Sequence, residues 1–192
     1  TEQYDQFSQE IRLISSKDSA FTWFLGAYVD KNNNDVVSTT DQDARNLLPL
    51  VVPAPAGSTA RTAAFVNARI LGSVTDFREN ADSWAFFGEA SQKLGPVTLR
   101  GGLRYEEINK DVDFLRCDST PYSGCSPLPL RTGNRKDKKF QPAITLETRP
   151  AEDVMIYTSF KKGFKSGGFS GTDGLPFNPE SANAYEIGLK SR

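Results

Sequence analysis

The sequence predicts an all-β chain built from long antiparallel strands, and three observations predict it. Apolar and polar side chains alternate with a period of two along most of the 192 residues, which marks strands with one apolar face. The connections between the alternating segments are short and long in turn. No stretch reads as a convincing helix, and no run approaches the roughly 20 apolar residues a membrane helix needs. Two architectures fit alternation, a soluble β-sandwich and a membrane-crossing barrel. Segments of roughly 9–13 residues exceed the five or six of an average strand and suit the 9–11 of a tilted membrane crossing. Strand length and loop rhythm therefore favour the barrel.

The segment "GPVTLRGGLRYEE" (95–107) shows the pattern most clearly. Val97, Leu99, Leu103 and Tyr105 share one register, and Arg100, Arg104 and Glu106 share the other with Thr98. One face is apolar and the other is wet. "FSQEIRLIS" (7–15) opposes Phe7, Ile11 and Leu13 to Ser8, Glu10 and Arg12. "FTWFLGAYVDK" (21–31) is apolar on both registers in its middle, with Phe24 and Tyr28 against Trp23, Leu25, Ala27 and Val29. In "ILGSVTDFRENADSWAFFGEASQKL" (70–94) the clearest part sets Trp84, Phe86 and Ala90 against Glu89, Ser91 and Lys93. "KFQPAITLETR" (139–149), "VMIYTSFKKGFK" (154–165) and "AYEIGLK" (184–190) complete seven expected strands.

The expected short connections are 16–20, 95–96 and 151–153, and the long ones are 32–69, 110–134 and 167–181. In an antiparallel meander every short turn then lies at one end of the sheet and every long loop at the other. Short periplasmic turns and long extracellular loops are the plan of an outer-membrane barrel. Asn, Asp, Ser, Pro and Gly enrich the long connections, as solvated loops require. "LLPLVVPAPA" (47–56) is too short and too rich in proline to cross a membrane, and it reads as loop.

Composition narrows the chemistry. Lys and Arg number 23 and Asp and Glu 24, so the chain lacks the basic footprint of a nucleic-acid partner. Histidine is absent, which removes the commonest general base and zinc ligand and argues against an enzyme. Neither a catalytic residue, a metal ligand nor a cofactor contact is indicated. "DKNNND" (30–35) opens like a calcium loop but places Asp35 where glycine is needed and Asp41 where the bidentate glutamate belongs, so it reads as a polar loop. "GFKSGGFSGTDG" (163–174) has neither phosphate-loop spacing and reads as loop as well. Cys117 and Cys125 flank "DSTPYSG" in one expected extracellular loop. Pro121 and Gly124 favour a turn that brings them within disulfide reach, and an oxidising cell surface favours the bond. The chain opens on "TEQYDQFSQ" and stops within an alternating run, so it is expected to be a piece of a longer protein.

Four collinear segments carry a resemblance. "FSQEIRLIS" resembles the "SQE-RL-S" strand of TonB-dependent outer-membrane receptors, the siderophore and cobalamin transporters. "SWAFFGEASQKLGPVTLRGGLRYEE" is similar to that family's pair of strands around a periplasmic turn. "EDVMIYTSFKKGFKSGGF" and "NPESANAYEIGLKSR" resemble its "D-V-M-L-Y-A-S-Y-S-K-G-F-K-S-G-G-F" and "P-E-x-x-x-x-Y-E-I-G-L-K-S" segments. The resemblance implies seven consecutive strands of a 22-stranded barrel whose lumen holds a separate plug domain. It implies a Gram-negative outer membrane and energised uptake of a scarce nutrient, most often a ferric siderophore, with the TonB complex acting through the plug. Passive porin-like or adhesin barrels are the alternative. Val97, Leu99, Leu103 and Tyr105 would then face lipid, and Arg100, Arg104 and Glu106 the lumen. Trp84, Tyr105 and Tyr185 become candidates for an aromatic girdle. In the long loops Arg45, Arg61, Arg131, Arg135, Lys136 and Lys138 are cations within reach of an anionic chelate, though solvated loop charge explains each as well.

Overall fold

In a computed structural model of the chain, the structure describes residues 1–17, 19–42, 71–119, 126–127 and 129–191. Ten strands follow one another: β1 (Glu2–Ile14), β2 (Phe21–Gln42), β3 (Leu71–Leu94), β4 (Val97–Ser119), β5 (Ser126–Pro127), β6 (Arg131–Ala151), β7 (Val154–Lys165), β8 (Gly168–Phe169), β9 (Pro176–Phe177) and β10 (Glu180–Ser191). No helix occurs among the described residues. The seven long strands form one antiparallel meander, β1-β2-β3-β4-β6-β7-β10, with β5 added to β4 and β8–β9 as a separate small ribbon.

The short turns close as their residues dictate. Leu94 pairs with Val97 around Gly95 and Pro96, and Gly95 has φ +65°. A two-residue hairpin needs that positive φ at its first central position, which glycine supplies, and Pro96 then fits the second. Ala151 pairs with Val154 around Glu152 and Asp153, with a register shift between Thr148 and Ala151. The β6–β7 ladder begins at Ala143–Lys161 and stops there, next to Pro142, whose nitrogen has no hydrogen to donate. Beyond that point β6 continues to pair only with β4.

Each long strand holds the expected alternating segment, but most run further. β2 continues past Lys31 to Gln42, β4 past Asn109 to Ser119, and β6 starts eight residues before Lys139, at Arg131. The sequence "DKNNND" is thus strand, not loop, and the Asp30 carboxylate accepts from Gln6 Nε2 (2.6 Å), Tyr28 Oη (3.3 Å) and Asn32 Nδ2 (3.0 Å). Arg131, Arg135, Lys136 and Lys138 likewise stand on β6 and not in a loop. Arg45 and Arg61 lie outside the described residues.

The register fixes two faces. One carries the row Leu25–Gly88–Leu103–Pro142 and next to it Ala27–Phe86–Tyr105–Phe140. Val97 and Leu99 extend this face toward the Gly95 turn, opposite Thr148 and Leu146. The other face carries Gly26–Phe87–Arg104–Gln141 and Tyr28–Ala85–Glu106–Lys139, with Arg100 nearer the short turns. Among the described residues only the β8–β9 ribbon lies over the long sheet, on its polar face. The apolar one is accordingly exposed, with Leu25 at 57%, Phe86 at 61% and Ile187 at 82%. A continuous exposed apolar face of this kind marks a surface that meets another apolar surface.

Candidate functional site

The polar face builds its features from the same alternation. Two arginines converge on an aromatic group in its middle. The Phe87 ring lies over Gly26, whose missing side chain leaves the space for it. Phe24 meets Phe87 edge-on with centroids 6.3 Å apart. The Arg12 guanidinium stands 5.4 Å from the Phe87 centroid and 6.0 Å from that of Phe24. From the other side Arg104 stands 5.6 Å from Phe87 and 5.9 Å from Tyr28. Each arginine is also paired, Arg12 with Glu10 and Arg104 with Glu106 at 2.6 Å, and Gln141 donates to Glu106 at 3.3 Å. The pairs hold planar cations against rings, so each guanidinium is fixed both by stacking and by its carboxylate. Nearer the short turns, Glu147 accepts from Arg100 (3.4 Å) and Arg149 (3.0 Å), and Tyr157 donates to Glu186 (2.5 Å).

At the long-loop end the connection between β7 and β10 turns back onto the polar face. Its ribbon β8–β9 inserts Phe169 among Phe77, Val112 and Phe114, the buried apolar cluster of the described residues. Gly133 lies beneath the Phe169 ring, where a Cβ would sit 2.5 Å from it. Gly174, at φ +69°, turns the tip against Phe114. Arg116 and Arg131 donate to the carbonyls of Thr172 (3.3 Å) and Asp173 (3.0 Å), and Asp137 accepts from the Gly167 N–H (2.9 Å). Asp173 receives hydrogen bonds from Ser170 and from the Leu175 N–H, and these hold its carboxyl below the ordinary value. The ribbon and its cradle therefore form one docked unit.

The apolar face ends in rings. Trp84, Tyr105 and Phe140 follow one another with centroids 5.4 and 5.0 Å apart, and Phe86 joins Trp84 at 5.5 Å. Tyr185 packs on Phe160 at 5.1 Å on the same face. One rung beyond Tyr105 the face becomes charged: Glu107, only 7% exposed, lies between Lys136 and Lys138, the latter at 3.1 Å. Cys117, buried on β4 opposite Pro127, is disulfide-bonded, and Cys125 lies outside the described residues. No cluster of three or more metal-binding side chains occurs among the described residues.

The structure thus puts Val97, Leu99, Leu103 and Tyr105 on one face and Arg100, Arg104 and Glu106 on the other. It also reveals residues that alternation did not flag. Phe24, Tyr28 and Phe87 fall on the polar register, and the signal was present as the double-sided apolar run of 21–31. Phe169 sits in a Gly/Ser stretch where a lone aromatic residue was the only hint.

The model of the family "TonB dependent receptor-like, beta-barrel" matches residues 2–192. Two solved structures share the fold. The ferric yersiniabactin uptake receptor FyuA from Yersinia pestis superposes on all of this chain with a TM-score of 0.72 at 14% identity. The siderophore receptor PiuA from Acinetobacter baumannii superposes on 98% of it with a TM-score of 0.62, also at 14% identity. The chain spans 26% of the first and 29% of the second. With the family model matched over nearly its whole length, this chain belongs to the TonB-dependent receptor-like β-barrel family.

Proposed function

We propose that the chain forms one arc of the barrel of a Gram-negative outer-membrane receptor for TonB-energised uptake of a scarce nutrient, a ferric siderophore. The two-faced single sheet carries this reading: an uncovered apolar belt ending in aromatic rings on one side, arginines and carboxylates on the other. In that reading Val97, Leu99, Leu103 and Tyr105 face lipid. Arg100, Arg104 and Glu106 face the lumen and its plug, through which the TonB complex acts. The arc makes and breaks no bonds of the ligand. Deleting the gene should abolish growth on one ferric chelate as sole iron source and spare growth on others. Unchanged growth on every chelate would overturn the siderophore assignment.

Orientation has its own test. Gly171 lies in the exposed turn of the β7–β10 connection with open space around its Cα, and Asp153 lies in the opposite, short turn. Gly171→Cys should react with a membrane-impermeant maleimide on intact cells. Asp153→Cys should react only once the outer membrane is permeabilised, and the reverse pattern would invert the barrel.

The same exterior is oxidising, and we assign the partner of Cys117 as Cys125. Closing so short a ring restricts the unfolded loop by about 2–3 kcal/mol on the chain-entropy estimate. Alkylating the denatured, unreduced protein should add no mass. Two alkyl groups per chain would rule the bridge out.

A further inference from the structure

The tip of the β8–β9 ribbon, residues 170–175, is a closed turn that rests lightly on the sheet. Its own groups satisfy one another: the Ser170 N–H donates to the Leu175 carbonyl (2.9 Å) and the Gly174 N–H to the Ser170 carbonyl (2.8 Å). The Thr172 N–H donates to Ser170 Oγ (3.3 Å) and the Leu175 N–H to the Asp173 carboxylate (3.1 Å). Arg116 and Arg131 hold it to the long sheet through the carbonyls of Thr172 and Asp173, and the Gly174 backbone lies against Phe114. The base of the ribbon is fastened more firmly, by Phe169 in its cluster and by the Asp137 carboxylate on the Gly167 N–H. The tip can therefore lift as a unit, with its internal hydrogen bonds intact, while the base stays docked. Beneath it Arg131 stands directly opposite Phe114 in the β4–β6 ladder, and Arg116 lies two residues further along the same face of β4. A cleft of about 240 Å³ already opens among Phe114, Arg116, Asp118, Pro129, Arg131 and Asp173. That is below the roughly 300–1,000 Å³ of ordinary ligand sites, and Asp173 of the tip forms one wall. Asp118, which accepts from Arg116 at 2.9 Å, and Asp173 balance the two guanidinium charges while the tip is down. Lifting the tip enlarges the cleft and takes Asp173 away, leaving two arginines against one carboxylate beside a bare ring.

We propose that the tip is a built-in competitor, occupying the place of an aromatic carboxylate carried by the ligand. This rests on the receptor reading, which puts the long-loop end at the cell exterior, where the ligand arrives. The carbonyls of Thr172 and Asp173 stand where carboxylate oxygens would, each on a guanidinium, and the Gly174 backbone stands where a ring would stack on Phe114. A carboxylate outbids neutral carbonyls for the two forks, because charge-assisted hydrogen bonds are the stronger ones. A planar ring gains an aromatic contact with Phe114 that glycine does not offer. A ligand with only one of the two features replaces only part of what the tip supplies. Because the tip must leave first, the fraction of receptors with it lifted scales the apparent affinity.

The test uses the intact receptor in detergent and the ferric complex of 2,3-dihydroxybenzoate, which holds iron through its ring oxygens and leaves the carboxylate free. Ferric catecholate has the ring without the carboxylate, and ferric citrate has carboxylates without a ring. Calorimetry should find the first bound at least tenfold more tightly than either of the others, and Arg131→Gln should remove its preference over the catecholate. Gly174→Ala places a methyl group against Phe114 and so unseats the tip without touching either arginine. It should tighten binding of the dihydroxybenzoate complex at least fivefold, and Phe169→Ala should act in the same direction by freeing the base. A ribbon that serves as a wall of the site would do the opposite in both. Bound ligand should also speed amide exchange within 170–175. Unchanged or weaker binding by both tip variants, or slower exchange in 170–175 on binding, would overturn the competitor. Equal affinity for the three complexes would overturn the aromatic carboxylate. Binding of none of them, with growth on one ferric chelate still lost on gene deletion, would overturn this ligand class and leave the receptor reading standing. Growth unchanged on every chelate would instead refute the receptor reading itself.

Discussion

Leu103→Lys should destabilise the intact barrel in lipid vesicles by about 2–4 kcal/mol, the cost of a lysine on a lipid face near the bilayer midplane. Leu103 lies between Gly88 and Pro142, within the belt that runs from Val97 to Tyr105, and is 47% exposed with no protein to cover it. Its chain neighbour gives the control. Arg104→Ala removes an ion pair with Glu106 and stacking on Phe87 and Tyr28. Glu106 keeps its hydrogen bond from Gln141, and water fills the space left. A partly exposed ion pair and the stacking of one guanidinium on its rings each contribute about 0.5–1 kcal/mol, so the expected loss is about 1–2 kcal/mol, below that of Leu103→Lys. Urea unfolding of the full-length protein with each substitution compares the two. Equal losses would sink the assignment of Leu103 to lipid.

That contrast between adjacent residues was legible in the sequence because a sheet with one apolar and one polar face imposes it. Where one face must be apolar and the other wet, every second residue is constrained, and 97–107 reads directly as strand. Past the belt both faces are wet and the constraint disappears. Residues 32–42 are mostly Asn, Asp, Ser, Thr and Val, yet they pair with β3 throughout. Hydrogen bonding to the neighbouring strand sustains β2 there, and such pairing leaves no periodic trace in composition. The aromatic group on the polar face was hidden for another reason. Phe24 and Tyr28 gain their meaning only from Phe87, far away in sequence beyond the 43–70 connection and adjacent through the register Gly26–Phe87. The β8–β9 ribbon was illegible because a two-residue strand offers no period at all, so 167–181 reads as loop.

Phe169→Ala should release that ribbon from the polar face. Truncating a buried phenylalanine costs about 3–5 kcal/mol where the surroundings do not collapse. Phe169 is 8% exposed, inserted among Phe77, Val112 and Phe114. The long strands do not depend on it, since their ladders are complete without the ribbon. The loss should therefore appear locally, as fast amide exchange and protease cleavage within 166–179, while β3 and β4 keep their protection. Gly133→Val tests the same packing from the opposite side, because its side chain would occupy the place of the Phe169 ring. The polar contacts should matter less: Arg116 and Arg131 reach exposed carbonyls, and Arg116→Gln should cost about 1 kcal/mol. Asp173 adds a pH dependence whose sign follows from its lowered pKa. Its contribution is complete at neutral pH and is lost as pH falls through the depressed folded value, so acid should loosen the ribbon and base should not. Unchanged exchange in 166–179 for both Phe169→Ala and Gly133→Val would show that the aromatic insertion does not hold the ribbon in place.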